Sequence, residues 1–224
     1  MRPYVINSNP TPHTKKESTS MNQSIKKVTA LASVPIFAIA LVAVVSSVQA
    51  NALTTSTTVS SAIGSIITLL TSSGTVNLDS TPTGVGVQTI ASDTVTVSTN
   101  DAAGYTLKLN ETGAASALTS GANTIPATAG TFGTPIAEVA DTWGYRVDSL
   151  GTFGAGPTTG GANAAISGTI KFAAVPATAS PQTLKTTAAT ASNDTTTVWY
   201  GVAVSTATPS GTYTNSVTYT ALAN

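Results

Sequence analysis

Residues 93–111 read DTVTVSTNDAAGYTLKLNE. Two alternating runs flank a turn. Val95 and Val97 share one face of the first run. In the second, Tyr105, Leu107 and Leu109 share a face, with Thr106, Lys108 and Asn110 opposite. A period of two marks strands with one buried face. Between the runs, Asn100 and Asp101 are residues that bond their own backbone in turns, and Gly104 tolerates positive φ. The expectation is a β-hairpin pairing these neighbours.

The same texture continues along the chain. DTWGYRVDS (141–149) puts Trp143, Tyr145 and Val147 on one side, and GTIKFAAV (168–175) does so with Ile170 and Phe172. TTTVWYGVAVST (195–206) directs Val198, Tyr200, Val202 and Val204 one way and Trp199 the other. The closing GTYTNSVTYTALAN (211–224) sets Tyr213, Val217 and Tyr219 against a stripe of Thr212, Thr214, Ser216, Thr218 and Thr220. Residues 59–82 accommodate one or two more strands, although the spacing of Ile63, Ile66, Ile67 and Leu70 also fits a short helix. Beyond them no segment combines helical periodicity with caps and good helix formers. The expected fold class is therefore all-β: an antiparallel sandwich of about 7–9 strands, preceded by an N-terminal signal helix.

Met21 to Ala52 carries the three parts of a secretory signal. Lys26 and Lys27 precede an apolar run from Val34 to Val45, and small residues offer cleavage after Ala50 or Ala52. The alternative is an uncleaved anchor, disfavoured by Pro35 and by the Ala and Ser content. The expected organisation is a polar extension over 1–20, a signal over 21–52, a strand or short helix within 53–75, and the sandwich over 76–224. Taken as ending at Asn224, the last strand leaves no room for a C-terminal anchor. Attachment is then expected through an uncleaved signal segment or through non-covalent contacts.

Composition removes several functions. Charged residues make up 8% of the chain, and the part after Ala52 has four cations against eight acids. A mildly acidic surface lacks the basic stripe that nucleic acid requires. There is no cysteine, and the single histidine, His13, lies in the polar extension. Disulfides, thiol or Ser–His catalysis and His- or Cys-ligated metals are thereby excluded from the expected domain. Asp79, Asp93, Asp101, Glu138, Asp141, Asp148 and Asp194 include the residue types calcium takes, but show no D-x-D-x-D spacing. Turn-forming or solvated roles suit them better. No catalytic residue, cofactor or metal site is expected.

Trp143, Tyr145 and Tyr200 are expected in the core, whereas Trp199, on the opposite face, is a candidate surface contact. Phe132 and Phe153, in the repeated GTFG, either plug the sandwich ends or form exposed contacts. The loops 113–131 and 176–194 are rich in Ala, Thr and Gly, and Asn110 and Asn193 begin N-glycosylation triplets.

The stretch STNDAAGYTLKLN, with Gly104, Tyr105 and Leu107, resembles the first signature of the WxL cell-surface domains of Gram-positive bacteria. The closing YTNSVTYTA, with Tyr213, Val217, Thr218 and Tyr219, resembles the second. Both signature tryptophans are tyrosine here, and the final leucine is Ala221. The resemblance implies a secreted β-sandwich held non-covalently on the cell wall through peptidoglycan. A looser similarity exists to secreted β-sandwich subunits of bacterial and archaeal surface fibres.

The expected function is a non-enzymatic, wall-associated or adhesive surface module. The alternatives are a fibre subunit assembled by strand addition, with Leu53–Leu70 as donor, and a carbohydrate-binding module using Trp199. Expected partners are peptidoglycan, another surface glycan, or copies of the chain itself. Nucleic acid is not expected, and membrane only through an uncleaved signal.

Overall fold

The computed structural model describes residues 55–113, 116–148 and 150–224, and Thr58–Asn224 forms one compact unit. The polar extension, the signal segment and the cleavage positions Ala50 and Ala52 lie outside the described residues.

The strands are β1 (Ile67–Thr71), β2 (Val87–Thr99), β3 (Tyr105–Glu111), β4 (Leu118–Ser120), β5 (Asn123–Ile125), β6 (Ile136–Ala137), β7 (Thr142–Val147), β8 (Gly161–Ala164), β9 (Lys171–Phe172), β10 (Gln182–Thr186), β11 (Ala191–Val204) and β12 (Val217–Ala223). That is more than the expected 7–9, because β4, β5, β6, β8 and β9 are pieces of two to four residues. The only helical element among the described residues is a 3-10 turn at Gly151–Phe153. The described residues are all-β, and the pairings between these strands are antiparallel.

Local neighbours do not pair as the sequence suggested. β2 lies between β1 and β11 in the larger sheet, ordered β1-β2-β11-β7, whereas β3 lies between β10 and β12 in a three-stranded sheet. Residues 100–104 therefore form an arch from one sheet to the other, not a hairpin. The turn chemistry is the expected one: Gly104 N donates to Asp101 O at 3.1 Å, and Ala103 N to Asp101 Oδ1 at 2.9 Å. What differs is its consequence. Gly104 adopts φ +84°, and a Cβ there would stand 2.4 Å from Thr187 O. Only glycine lets the chain cross so close to another backbone.

The inward stripes of the two sheets share one core. Val95 and Val97 of β2, Val198, Tyr200 and Val202 of β11, and Trp143, Tyr145 and Val147 of β7 bury against Tyr105, Leu107 and Leu109 of β3. Val217, Tyr219 and Ala221 of β12 pack on the same cluster, as the alternation of the closing stretch predicts. Each such aliphatic or aromatic side chain contributes about 1.5–3 kcal/mol of burial.

The other face of the larger sheet is covered as well, which alternation does not reveal. Phe172, wholly buried, packs with Ile90 and Trp199. Gly201 makes room for it, since a Cβ there would lie 2.7 Å from the Phe172 ring. Phe153 is buried and stacks edge-on with Phe132 at 5.7 Å between centroids, so this pair closes part of the core.

Two expected loops contain strands. β4 and β5 form a small hairpin within 113–131, and β10 crosses 176–194 to pair with β3. The sequence of β10, QTLKT, buries only Leu184 and so carries no alternating apolar signal. In 53–75 the helical alternative fails: Ile67–Thr71 is a strand, and Ile63 and Ile66 are exposed.

Candidate functional site

The arch places the resemblance motifs on paired strands. Tyr219 of β12 lies opposite Leu109 of β3, Ala221 opposite Leu107, and Ala223 opposite Tyr105. Tyr105 and Leu107 are fully buried. The Tyr105 hydroxyl donates to Asp194 Oδ2 at 2.8 Å, and Lys185 Nζ meets Asp194 Oδ1 at 2.6 Å. Burial alone raises the Asp194 carboxyl, but the bonds and charge of Lys185, with the Tyr105 bond, outweigh it and hold it below the usual range. Tyr213 donates to Pro209 O at 2.8 Å, and Thr218 faces outward within 2.8 Å of Thr112 Oγ1. Gly104, Tyr105, Leu107, Val217 and Tyr219 thus serve the arch and the interior rather than an exposed binding surface.

A cavity of about 850 Å³ opens where β1 ends and β12 begins. Its floor is the inward face of the larger sheet, with Trp143, Tyr200, Val202 and Val204. Val217 and Tyr219 form one wall, and residues 73–80 and 208–216 form the rim. Asp93 points into this space and is held by Ser72 Oγ at 2.8 Å and Ser73 N at 3.1 Å. The space is apolar at its base and hydroxyl-lined at its mouth, a form suited to an extended chain with small apolar side chains.

Trp199 is 5% exposed, so it is not the surface contact the sequence suggested. It does face away from Tyr200, but that face is roofed by the excursion bearing Phe172. Its Nε1 donates to Asp148 Oδ2 at 2.6 Å, beside a shallow recess formed with residues 154–158. Arg146, also wholly buried, reaches Gly154 O at 2.9 Å and lies 5.9 Å from the Phe153 ring centroid. It lies on the face of β7 opposite Trp143, Tyr145 and Val147, and that face is covered as well.

Two further acids are buried. Glu138 is 3% exposed, and Gln88 Nε2 donates to its Oε2 at 2.7 Å while Oε1 has no hydrogen-bond partner. Burial pushes this carboxyl up to about 8, against the opposing Gln88 bond. Glu111, fully buried, is likewise raised by burial, opposed by the Asn215 amide. No signal in the sequence distinguished these acids from turn residues.

Asp141 behaves as a turn residue should. At φ 65° it accepts from Ser205 N at 2.8 Å, from Ser205 Oγ at 2.9 Å and from Thr208 Oγ1. Among the described residues, no three His, Cys, Asp or Glu converge as metal ligands, and no helix is long and apolar enough to cross a membrane. Asn110 is 7% exposed and donates to Glu111 O, so it does not present a glycan acceptor, whereas Asn193 is exposed. No protein-family model, curated protein or solved structure matches the chain.

Proposed function

We propose that this protein is an exported, non-enzymatic β-sandwich module that acts by contact at the cell surface, through wall association or adhesion. The two core-sharing sheets are the halves of the sandwich, and β4–β6, β8 and β9 are its trimmings. One observation carries the reading: four carboxylates, Asp93, Asp141, Asp148 and Asp194, are committed to internal bonds. Asp93 holds Ser72 and Ser73, Asp141 holds Ser205 and Thr208, Asp148 accepts from Trp199, and Asp194 joins Tyr105 to Lys185. Groups so engaged stabilise a frame and are poorly placed to move protons.

The outward face of β3 and β12 supports a contact role. It presents Thr106, Lys108, Thr218 and Thr220, a neutral-to-basic hydroxyl surface on a rigid sheet. Hydroxyl-rich faces are wettable and offer donors and acceptors to sugars. The signal-like segment over Met21–Ala52 supplies the export step.

Sedimentation with purified peptidoglycan tests the wall reading. The secreted protein is expected in the pellet, and a Thr218→Glu, Thr220→Glu variant in the supernatant. A wild-type protein that stays entirely in the supernatant, and is found in the medium with no wall-bound pool, would sink it.

A further inference from the structure

The segment Thr58–Ile66 is exposed throughout and belongs to no strand. Val59 is 91% exposed, Ile63 85% and Ile66 66%. No charged residue occurs from Thr58 to Leu78. Several bare β-branched residues on an uncharged arm are unusual in a protein that works alone. In extended chain, Val59 and Ile63 share the parity of Ile67 and Leu69, which pack on the core. Drawn out as a strand, the arm therefore carries Val59 and Ile63, alternating with Ser61 and Ser65, on one side and Ser60, Ala62, Gly64 and Ile66 on the other.

The cavity described above has the complementary form. It is apolar at Val202, Val204 and Val217, holds Asp93 already engaged by Ser72 and Ser73, has Asp79 in its rim, and is bordered by β12, which among the described residues has no strand hydrogen-bonded to its far edge. An open edge beside an apolar recess is the arrangement that accepts an added strand. Nine residues extend to about 30 Å, enough to run along the whole of β12.

The arm and the cavity lie at opposite ends of β1. β1 is antiparallel to β2 and starts with Ile67 opposite Thr99, so the arm leaves at the end where the arch begins. Asn100 fixes that exit, accepting from Ile66 N at 2.6 Å and donating to Gly64 O at 3.0 Å. The cavity instead lies beyond Thr71, at the other end of β1. The arm would have to reverse direction to reach its own cavity, but points away from it toward a neighbour.

We propose that Thr58–Ile66 of one copy adds as a strand beside β12 of a second copy and places Val59 and Ile63 in its inter-sheet cavity. Because donor and acceptor are different surfaces, the contact is heterologous, and its repetition gives an open chain or a ring. The Val59 and Ile63 side chains, bare in the single copy, become buried in the assembly. This goes beyond the surface-contact role and rests on different residues.

The chain has no cysteine, which makes the test clean. Secreted protein carrying Ile63→Cys is mixed with protein carrying Val217→Cys, and oxidised. Disulfide-linked pairs between the two variants are expected, and sedimentation of the wild type should show concentration-dependent multimers. A Val59→Glu, Ile63→Glu variant, altered only at exposed positions, should fold normally and lose at least roughly tenfold in association. Wild-type protein that stays monomeric at millimolar concentration, or multimers undiminished by the double substitution, would overturn the proposal. Neither result would bear on peptidoglycan sedimentation by the hydroxyl face.

Discussion

The hydroxyls of Tyr200 and Tyr219 lie 2.7 Å apart across the space between the two sheets. One belongs to the central strand β11, the other to the edge strand β12. Both phenols are raised above their usual range, Tyr200 by burial and then by its partner, and Tyr219 chiefly by burial. A neutral bond in a poorly hydrated site contributes about 1 kcal/mol, and stranding one hydroxyl costs more than removing both. We therefore expect Tyr219→Phe to destabilise by about 1–2 kcal/mol and the Tyr200→Phe, Tyr219→Phe pair to cost less than the sum. Denaturant unfolding in a double-mutant cycle measures this. Additive losses would show that the hydroxyls do not interact.

Glu138 gives stability an alkaline dependence. The folded protein holds a proton on this carboxyl up to about pH 8, whereas the unfolded chain releases it near ~4.5. The folded state thus binds more protons throughout that interval, and stability must fall as pH rises through it, at up to ~1.4 kcal/mol per unit. Glu138→Gln has no proton to lose. We expect it to raise the unfolding midpoint at pH 8 and to flatten the profile between pH ~5 and ~8. A wild-type profile already flat there would place an ionised carboxylate in the core and contradict the assignment.

Asp194 works in the opposite sense. Its carboxyl is held below the usual range by Lys185 and Tyr105. The stability it contributes is present above the unfolded value near ~4 and is lost as pH falls through the lower folded one. Asp194→Asn leaves Lys185 unpaired and weakens the bond to Tyr105, at a cost of about 1–2 kcal/mol near neutrality that shrinks toward pH ~3. Thermal unfolding of both proteins across acid pH reads this difference directly. An unchanged gap at low pH would assign the loss to packing alone.

The inward stripes were legible because alternation reports burial of one face: Val95, Val97, Leu107, Val202 and Tyr219 all lie where their parity places them. Trp199 and Arg146 were not legible, because the layer bearing Phe172 arrives from some 30 positions away along the chain and turns a polar face into a second interior. The buried Glu138 belongs to that same layer. β10 escaped because one buried Leu184 leaves no pattern, and backbone pairing with β3 carries the strand instead. The cavity was invisible for a related reason. It is framed by residues on β7, β11 and β12 whose proximity is a property of the topology and not of any local run.

Gly104 separates the two readings of the stretch 93–111. In a hairpin, replacing a glycine at positive φ by alanine costs roughly 1 kcal/mol of backbone strain, and the sheet stays intact. In the arch, the new Cβ also meets the backbone of Thr187 at 2.4 Å. There Tyr105 N donates to Thr187 Oγ1, Thr187 N donates to Tyr105 O, and Asn224 Nδ2 reaches Thr187 O. These bonds tie β3 and the end of β10 to the C-terminus after β12, so a shift at residue 104 disturbs all three strands of the smaller sheet together. We expect Gly104→Ala to cost about 3 kcal/mol or more, since a backbone atom cannot yield as a flexible side chain can. Hydrogen exchange should show faster opening at Tyr105, Thr187 and Asn224 at once. A loss near 1 kcal/mol, with exchange altered only over residues 100–104, would favour a local hairpin turn over a crossing between sheets.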